Sequence, residues 1–385
     1  MSEWKEYKLG ELVQTNKKSI NSDYPFEEIE YLDTGSITKG KIESFQKFKL
    51  RKAPSRAKRL VEQDDIIYST VRPIHRHYGY VDNPLPNLIV STGFVTITCV
   101  KEKLYPKFLY YLLSSEDSVE YLDVIAEAST SAYPSLRPSD IENLNITIPE
   151  LQIQQSIASI LTSLDDKIDL LHHQNTTLEK MAETLFRQWF VEEAQEEWGS
   201  KSLSSIASFL NGLACQKYPP KNGIDKLPVL KIKELSNGIT DNSDWATKDV
   251  KPEYVVNNGD VIFAWSASLM VKIWDGKDCV LNQHLFKVTS NDFPKWFYYL
   301  WCKHHLAEFI TKAASHATTM GHIKRGDLDE ALILIPSDAE LKKMTSDAEP
   351  LIDKIINNNR QIKLLVDVRD TLIPKLMSGE VTVIE

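Results

Sequence analysis

Residues 151–190 read LQIQQSIASILTSLDDKIDLLHHQNTTLEKMAETLFRQWF, and this stretch decides the fold of the chain. Large apolar side chains recur in it at alternating steps of four and three residues, and only Asn175 and Ala182 depart from this pattern. Apolar heptads sustained over more than four repeats predict a coiled-coil helix rather than an ordinary amphipathic helix. The seam positions are Ile157, Leu161, Leu164, Ile168, Leu171, Asn175, Leu178, Ala182, Leu185 and Trp189.

A second stretch repeats this spacing 187 residues further along the chain. Its pattern is weaker because Arg369 interrupts the apolar seam. The corresponding seam positions are Met344, Ala348, Leu351, Ile355, Asn358, Ile362, Leu365, Arg369, Leu372 and Leu376.

Each of these helices needs a partner, because a narrow apolar seam does not remain exposed to water. The nearest partner is the other helix of the same chain, and the segment between them is long enough for the chain to return. We therefore predict an antiparallel coiled coil that relates the two globular segments of the chain by a pseudo-two-fold axis. Asn175 and Asn358 fall on the seam, where a buried Asn fixes the register. The alternative is that both face solvent at a loosely packed point.

The rest of the chain is duplicated as well. Residues 61–67 (VEQDDII) match residues 256–262 (VNNGDVI), and residues 105–108 (YPKF) match residues 293–296 (FPKW). From residue 148 onward the offset between the halves is constant, whereas it varies before that point. This pattern indicates two helices of fixed length, each preceded by a globular segment with loop insertions. Two similar modules have the approximate two-fold symmetry of duplex DNA.

Composition restricts the class of protein. A chain of 385 residues is long enough for two substantial cores. It has no apolar run of transmembrane length and no secretory signal at its N-terminus, so we expect a cytoplasmic protein. The cysteines are dispersed without CxxC spacing, which predicts buried, reduced thiols rather than disulfides or a zinc site. They are Cys99, Cys215, Cys279 and Cys302.

The net charge of −9 is unusual for a DNA-binding protein, but its distribution is uneven. Acidic residues concentrate at the end of the first predicted helix, whereas residues 39–76 carry 11 Lys and Arg against 4 Asp and Glu. A basic stretch interleaved with aromatic residues fits phosphate contacts. The alternative is a solvated lysine-rich face.

Each globular segment is predicted to be a mixed α/β unit. Short β-branched runs punctuated by Gly, Asn and Pro predict strands, and one helix is expected in each segment, near residues 107–114 and 295–304. A loop rich in Ser, Thr and Ala follows each helix, at residues 128–136 and 314–323. The predicted strands are residues 66–68, 94–100, 146–148, 261–264, 285–288 and 332–335.

The chain carries no recognisable catalytic motif. It lacks the glycine-rich loop and the Asn/Asp-Pro-Pro-aromatic motif of a DNA methyltransferase, and it lacks the GxxxxGK[ST] loop of an ATPase. Its carboxylates and histidines show no spacing typical of a nuclease or a metal site. The residues therefore favour binding over catalysis.

The overall layout resembles the specificity subunit of a type I restriction-modification system. The resemblance rests on residues 154–168 (QQSIASILTSLDDKI), on the two globular segments each followed by a long helix, and on residues 374–380 (PKLMSGE). The second helix departs from the pattern, because it has residues 339–342 (AELK) where the first has its Gln-x-x-Ile opening. The resemblance implies target recognition domains at residues 1–150 and 196–337, and conserved spacer helices at residues 151–195 and 338–385.

The same resemblance implies a division of labour. Each recognition domain would read one half of a bipartite double-stranded DNA site, and the helices would set the spacing and dock modification subunits. The chain itself would hold no cofactor; S-adenosylmethionine, ATP and Mg would belong to the modification subunits and to the restriction subunits, which translocate and cleave DNA. No membrane partner is implied.

Candidate DNA-binding residues lie in the basic stretch and in the loops that resemble recognition loops. Arg side chains suit bidentate contacts to guanine, and Ser or Thr can reach either base type. Two other classes of function remain open: a coiled-coil scaffold whose globular ends bind protein, and an enzyme with an unrecognised site. The candidates are Lys49, Arg51, Arg56, Ser69, Thr70, Arg72, Arg76, His77, Ser129, Thr130, Ser131 and Arg137 in the first half, and Ser266, Ser268, His316, Thr318, Thr319 and Lys324 in the second.

Overall fold

The computed structural model describes residues 4–129, 133–240, 242–315 and 321–383. The chain forms two compact units: residues 1–166 together with 366–385, and residues 167–365. Each unit therefore combines one globular segment with a part of each long helix.

The strands of the first unit form two four-stranded sheets and two smaller pairs. They are β1 (Lys5–Lys8), β2 (Val13–Thr15), β3 (Glu28–Leu32), β4 (Ile37–Thr38), β5 (Lys41–Ile42), β6 (Gln46–Lys49), β7 (Ala57–Leu60), β8 (Ile66–Ser69), β9 (Tyr78–Tyr80), β10 (Leu88–Ser91), β11 (Phe94–Cys99) and β12 (Asn145–Ile148).

The sheets of the first unit have the orders β6-β3-β10-β7 and β2-β11-β8-β9. Strands β3 and β10 run parallel, and the other neighbours are antiparallel. Strand β8 is buried on both faces, as expected of a continuous apolar run. Strand β1 pairs with β12, and β4 with β5.

The first unit has more helix than the sequence predicted. The helices are α1 (Pro106–Ser114), α2 (Glu116–Glu127) and α3 (Pro138–Glu142). The expectation of one helix was wrong, because Ser115 ends α1 and its hydroxyl caps α2 by accepting a hydrogen bond from the Ser118 amide. Val119, Leu122 and Ala126 then form the buried face of α2.

The long helix α4 (Leu151–Arg187) follows and is continued by a π-helical turn, Gln188–Glu192. The second unit then contributes β13 (Gly199–Ser202), α5 (Leu203–Ile206), β14 (Ser208–Asn211), β15 (Lys226–Leu230), α6 (Ile232–Asn237), β16 (Trp245–Thr247), β17 (Val255–Val256), β18 (Val261–Ala264), β19 (Met270–Ile273), β20 (Cys279–Leu281), β21 (Leu285–Thr289), α7 (Lys295–His304), α8 (Leu306–Ser315), α9 (Arg325–Glu330), β22 (Leu332–Ile335) and the long helix α10 (Asp338–Met377).

The second unit repeats the topology of the first. Its sheets have the orders β16-β15-β20-β17 and β14-β21-β18-β19, with β15 and β20 parallel and β13 paired with β22. Helix α8 corresponds to α2 and was likewise not predicted from the sequence. Residues 314–315, which were expected to lie in a loop, are the last residues of α8. The mixed α/β architecture and the duplication predicted from the sequence are confirmed.

Every predicted seam position of α4 and α10 is buried or half-buried. In the second unit, Asn358 donates from Nδ2 to Asn175 Oδ1 at 2.9 Å, and Asn175 donates from Nδ2 to Asn359 Oδ1 at 2.6 Å. Further along, the Trp296 ring contacts Trp189, with ring centroids 5.8 Å apart, and its Nε1 donates to Thr345 Oγ1 at 3.1 Å. Trp296 thus lies against both Trp189 of α4 and Thr345 of α10. Because the α10 residue number falls from 358 to 345 as the α4 residue number rises from 175 to 189, the helices run antiparallel there.

The first unit contains the opposite ends of both helices. Arg369 of α10 donates from Nη1 to Asp165 Oδ1 of α4 at 2.7 Å, and Asp165 Oδ2 accepts from the Tyr111 hydroxyl at 2.7 Å. The interruption of the seam is thus an ion pair. The N-terminal part of α4 shares this unit with the C-terminal part of α10, so the prediction of an antiparallel coiled coil is confirmed.

Each core joins one sheet to the helices. In the first unit it includes Phe108, Leu161 and Leu376, and in the second Trp296 and Ile352. All four cysteines are buried and unpaired, as predicted. Burial raises the pKa of the Cys215 thiol, which keeps it in the neutral form.

Candidate nucleic-acid interface

Three loops of the first unit meet at one point, which we call loop junction 1 (residues 70–72, 93 and 134–137). Strand β8 ends at Ser69, and the chain then pairs with the loop after α2 through an isolated antiparallel bridge between Val71 and Ser135. The Leu136 amide donates to Thr70 O at 2.7 Å, and the Arg72 amide donates to Pro134 O at 3.2 Å.

The turn between β10 and β11 completes loop junction 1. The Thr70 amide donates to Gly93 O at 2.8 Å, and the Thr70 hydroxyl donates to the same oxygen at 2.9 Å. Two loops that the sequence singled out separately are therefore joined to each other and to a third loop.

The second unit has the same arrangement, loop junction 2 (residues 265–267, 284 and 321–324). Ser266 forms the isolated antiparallel bridge with His322. The Ile323 amide donates to Trp265 O at 3.0 Å, and the Ala267 amide donates to Gly321 O at 2.8 Å. The Trp265 amide donates to His284 O at 3.4 Å, as the Thr70 amide donates to Gly93 O in the first unit.

The correspondence extends to backbone conformation. Arg72 and Ala267 both have positive φ, at 45° and 57°, although neither is a glycine. A left-handed conformation is uncommon for such residues and persists where surrounding contacts impose it. Leu136 and Ile323, 5% and 3% exposed, anchor the returning loops in the two cores.

Several candidate side chains of the first half are exposed. Arg72 and Arg137 project from loop junction 1, and Arg56 lies beside it, because its carbonyl oxygen accepts a hydrogen bond from the Thr92 amide at 2.8 Å. Lys49 and Arg51 are also exposed. Lys49 lies on β6, an outer strand of the sheet β6-β3-β10-β7, and Arg51 lies in the turn that follows it.

Other candidates of the first half are engaged within the unit. Ser69 is 2% exposed, and its hydroxyl donates to Val71 O at 3.1 Å and accepts from the Val71 amide at 3.2 Å. His77 Nδ1 lies 2.6 Å from Ile37 O. Ser129 Oγ accepts from the Ser135 amide at 3.3 Å. The structure gives these three side chains a role in holding the loops.

Arg76 is held by a carboxylate. Its guanidinium pairs with Glu116, and this hydrogen bond holds the pKa of Glu116 below its ordinary value. Burial lowers the pKa of the nearby Lys39 ammonium, and the charge of Arg76 lowers it further. The charge of Arg76 is therefore partly neutralised within the unit, whereas Arg72 is exposed.

In the second half, Ser268 and Lys324 are exposed. Ser266 is 5% exposed, and its hydroxyl lies 3.1 Å from His284 Nδ1, so it supports loop junction 2. Five candidates lie outside the described residues: Thr130, Ser131, His316, Thr318 and Thr319.

The structure adds residues that the sequence did not single out. His284 of loop junction 2 and its neighbour Gln283 lie in the turn between β20 and β21, and the Trp265 ring stacks on Phe286 at a centroid distance of 5.6 Å. A weak signal for them was available, because the turn precedes a predicted strand in both halves. Trp265 joins this turn to the returning loop, because its amide donates to His284 O and its carbonyl oxygen accepts from the Ile323 amide.

Comparison with known proteins identifies the family. The family model of the type I restriction modification DNA specificity domain matches residues 1–180 and 195–366. The chain belongs to this family. The specificity subunit of type I restriction enzyme MjaIX from Methanocaldococcus jannaschii is 30% identical over 85% of the chain and 80% of that protein. The specificity subunit of type I restriction enzyme HindI from Haemophilus influenzae is 25% identical over 99% of the chain and 100% of that protein.

A solved structure has the same fold. The crystal structure of the S subunit of a type I restriction-modification system from M. genitalium aligns with a TM-score of 0.58 and 15% identity, covering 97% of the chain and 96% of that protein. The family resemblance found in the sequence is confirmed by the family model and by these relatives. The chain is a DNA specificity component, which is the non-catalytic recognition part of such a system.

Two further findings concern the described part of the chain. No helix there is long and apolar enough to cross a membrane. No cluster of three His, Cys, Asp or Glu side chains there is arranged to hold a metal ion.

Proposed function

We propose that this specificity component reads a bipartite duplex DNA target, with one module contacting each half. The observation that carries the proposal is the duplicated loop junction: each unit joins the same three loops by the same backbone hydrogen bonds, and each presents a different set of side chains. Identical scaffolds with different side chains suit two half-sites of different sequence.

The long helices would set the distance between the half-sites. Helix α4 contains 37 residues, which corresponds to ~55 Å at 1.5 Å per residue. That length exceeds one turn of B-DNA, ~34 Å, so an unread spacer is expected between the halves. The exposed faces of α4 and α10 would dock modification subunits, and those subunits and the restriction subunits would supply S-adenosylmethionine, ATP and Mg.

The competing function is an assembly scaffold whose modules bind protein. The DNA-reading function is favoured by the exposed Arg72, Arg137 and Lys324, because these basic side chains concentrate positive charge at the loop junctions of a chain whose net charge is −9.

The test uses the full chain purified with the modification subunit of its own system. Methylation mapping of genomic DNA is expected to give one motif with two specified halves and an unspecified spacer, and footprinting is expected to protect two separated patches. Affinity should fall steeply with salt, since phosphate contacts release counterions. A complex that methylates or protects DNA without sequence preference would favour the scaffold, and a single undivided motif would contradict the bipartite target.

A further inference from the structure

The duplication offers a way to separate two kinds of DNA contact. The phosphate backbone is chemically the same in both half-sites, whereas the bases differ. A side chain that both modules present at the same structural position suits the shared backbone, and one that differs between them suits the bases.

Arg137 and Lys324 occupy the same structural position. Each directly follows the buried anchor of its loop junction, Leu136 or Ile323, whose amide donates to the carbonyl of the first residue after the strand. The Arg137 amide donates to Asp140 Oδ2 at 2.6 Å, and the Lys324 amide donates to Asp327 Oδ2 at 2.6 Å. The backbone of the basic residue is therefore fixed on both sides in the same way in each unit.

Both side chains are available for a partner. They are exposed, and among the described residues neither forms an ion pair, since the neighbouring carboxylates of Asp140 and Asp327 accept backbone amides. The sequence spacing between the basic residue and its aspartate is the same in both modules.

The chemistry of the pair distinguishes phosphate from base. Arg and Lys share a positive charge but not a donor geometry, because only Arg has the planar fork that reads guanine bidentately. A contact that accepts either residue needs charge alone, and a phosphate oxygen meets that need.

Other positions of the two junctions differ in chemistry. Arg72 corresponds to Ala267, which share a left-handed backbone, and Gly93 corresponds to His284. No common target accounts for an Arg in one module and an Ala in the other, so these positions suit the bases of their own half-site.

We propose that Arg137 and Lys324 are equivalent phosphate-binding residues that position each module on the DNA backbone, whereas Arg72 and the residue 283–284 turn select bases in separate halves. This inference rests on the proposed DNA-reading function and assigns roles within it.

The experiment measures binding of the full chain, with its modification subunit, to a target duplex and to a random-sequence duplex over a range of salt. Arg137→Gln and Lys324→Gln are each expected to weaken binding to both duplexes equally and to reduce the slope of log K against log salt by about 1, and the double variant by about 2. Arg137→Lys and Lys324→Arg should retain the slope and the methylated motif. The matched control is Arg325→Gln, which removes the same charge one residue away, where the first module has Pro138; its slope should change less.

Arg72→Ala should instead relax the motif in one half only and leave binding to the random duplex nearly unchanged. An altered half-site in Arg137→Gln or Lys324→Gln, or an unchanged salt slope in both, would overturn the assignment while leaving the proposed function intact. Absence of salt-dependent duplex binding by the unmutated complex would overturn the proposed function and this inference together.

Discussion

Asn358 is a polar residue at the centre of an apolar seam. It is 0% exposed, and its Nδ2 donates to Asn175 Oδ1, while its own Oδ1 is buried and accepts no hydrogen bond from the described residues. A buried amide that is only partly satisfied lowers stability, and its benefit is that other alignments of the helices would leave both amides without partners.

We predict that replacing both residues, Asn175→Leu with Asn358→Leu, leaves the free energy of unfolding unchanged or raises it. Replacing Asn358 alone should lower it by roughly 1–3 kcal/mol, because Asn175 then loses its buried donor. Urea unfolding of the two variants checks this order. Equal stability of the single and double variants would show that the two amides are not coupled.

At the scale of single elements, Gln154 ties α4 to the start of α1. It is 0% exposed, its Nε2 donates to Lys103 O at 3.1 Å and to Pro149 O at 2.8 Å, and its Oε1 accepts from the Tyr105 amide at 2.9 Å. One side chain thus satisfies three backbone groups at the end of a loop, where the first residues of α1 have no partner within the helix. The position that corresponds to it in α10 is Leu341.

Gln154→Leu is expected to lower the stability of the first unit by about 3 kcal/mol, because it leaves buried backbone groups without partners. Gln155→Leu is the matched control, since Gln155 is exposed on the same helix and should change stability by less than about 0.5 kcal/mol. Denaturant unfolding measures both. A Gln154→Leu chain as stable as the control would mean that water replaces the three hydrogen bonds.

Helices α2 and α8 were not predicted from the sequence because each lies directly after another helix. Strong heptads identified α4 and α10, but α2 and α8 each follow the preceding helix after a single residue, Ser115 or His305. The sequence contains the cap and the apolar spacing of α2, yet α1 and α2 read as one helical stretch with a polar interruption. Tertiary packing decides that the chain turns at Ser115.

At the scale of the whole molecule, the duplication gives two units that are composed in the same way. Each unit takes the N-terminal part of one long helix and the C-terminal part of the other, and the division falls near residue 166 in α4 and residue 366 in α10. We therefore expect residues inserted at that division to preserve the described contacts within each unit.

We predict that inserting one heptad after Asp166 and one before Val366 lengthens the unread spacer of the DNA target without changing either half-site. Seven residues add ~10 Å to each helix and preserve the apolar seam, which corresponds to roughly three base pairs of B-DNA. Methylation mapping of the complex reads the new motif. A matched variant with the heptad in α4 alone should unfold at lower temperature because its seam is out of register. An altered half-site or an unchanged spacer would count against a role of the helices in setting the distance.

The candidate interface could be predicted only in part. The sequence pointed to the loops at residues 69–73 and 128–136 because they follow a strand and a helix, and residues 70–72 and 134–136 of these loops belong to loop junction 1. Their individual side chains could not be ranked: Ser69 and Arg72 lie three residues apart, yet one is 2% exposed and the other is exposed. Ser69 is the last residue of the buried strand β8, whereas Arg72 follows the bridge between Val71 and Ser135, which are 64 positions apart.

The sequence by itself determined the two long helices and the duplication, because each of these is written as a periodicity or a repeat that local spacing reveals. The family was indicated by the resemblance of its motifs, and the antiparallel pairing was an expectation that contacts between the helices confirmed. Only the tertiary structure decided which loops meet, which hydroxyls hold the loops together, and which basic residues correspond in the two modules. Those features depend on hydrogen bonds and burial between segments distant in sequence, and no local pattern encodes such contacts.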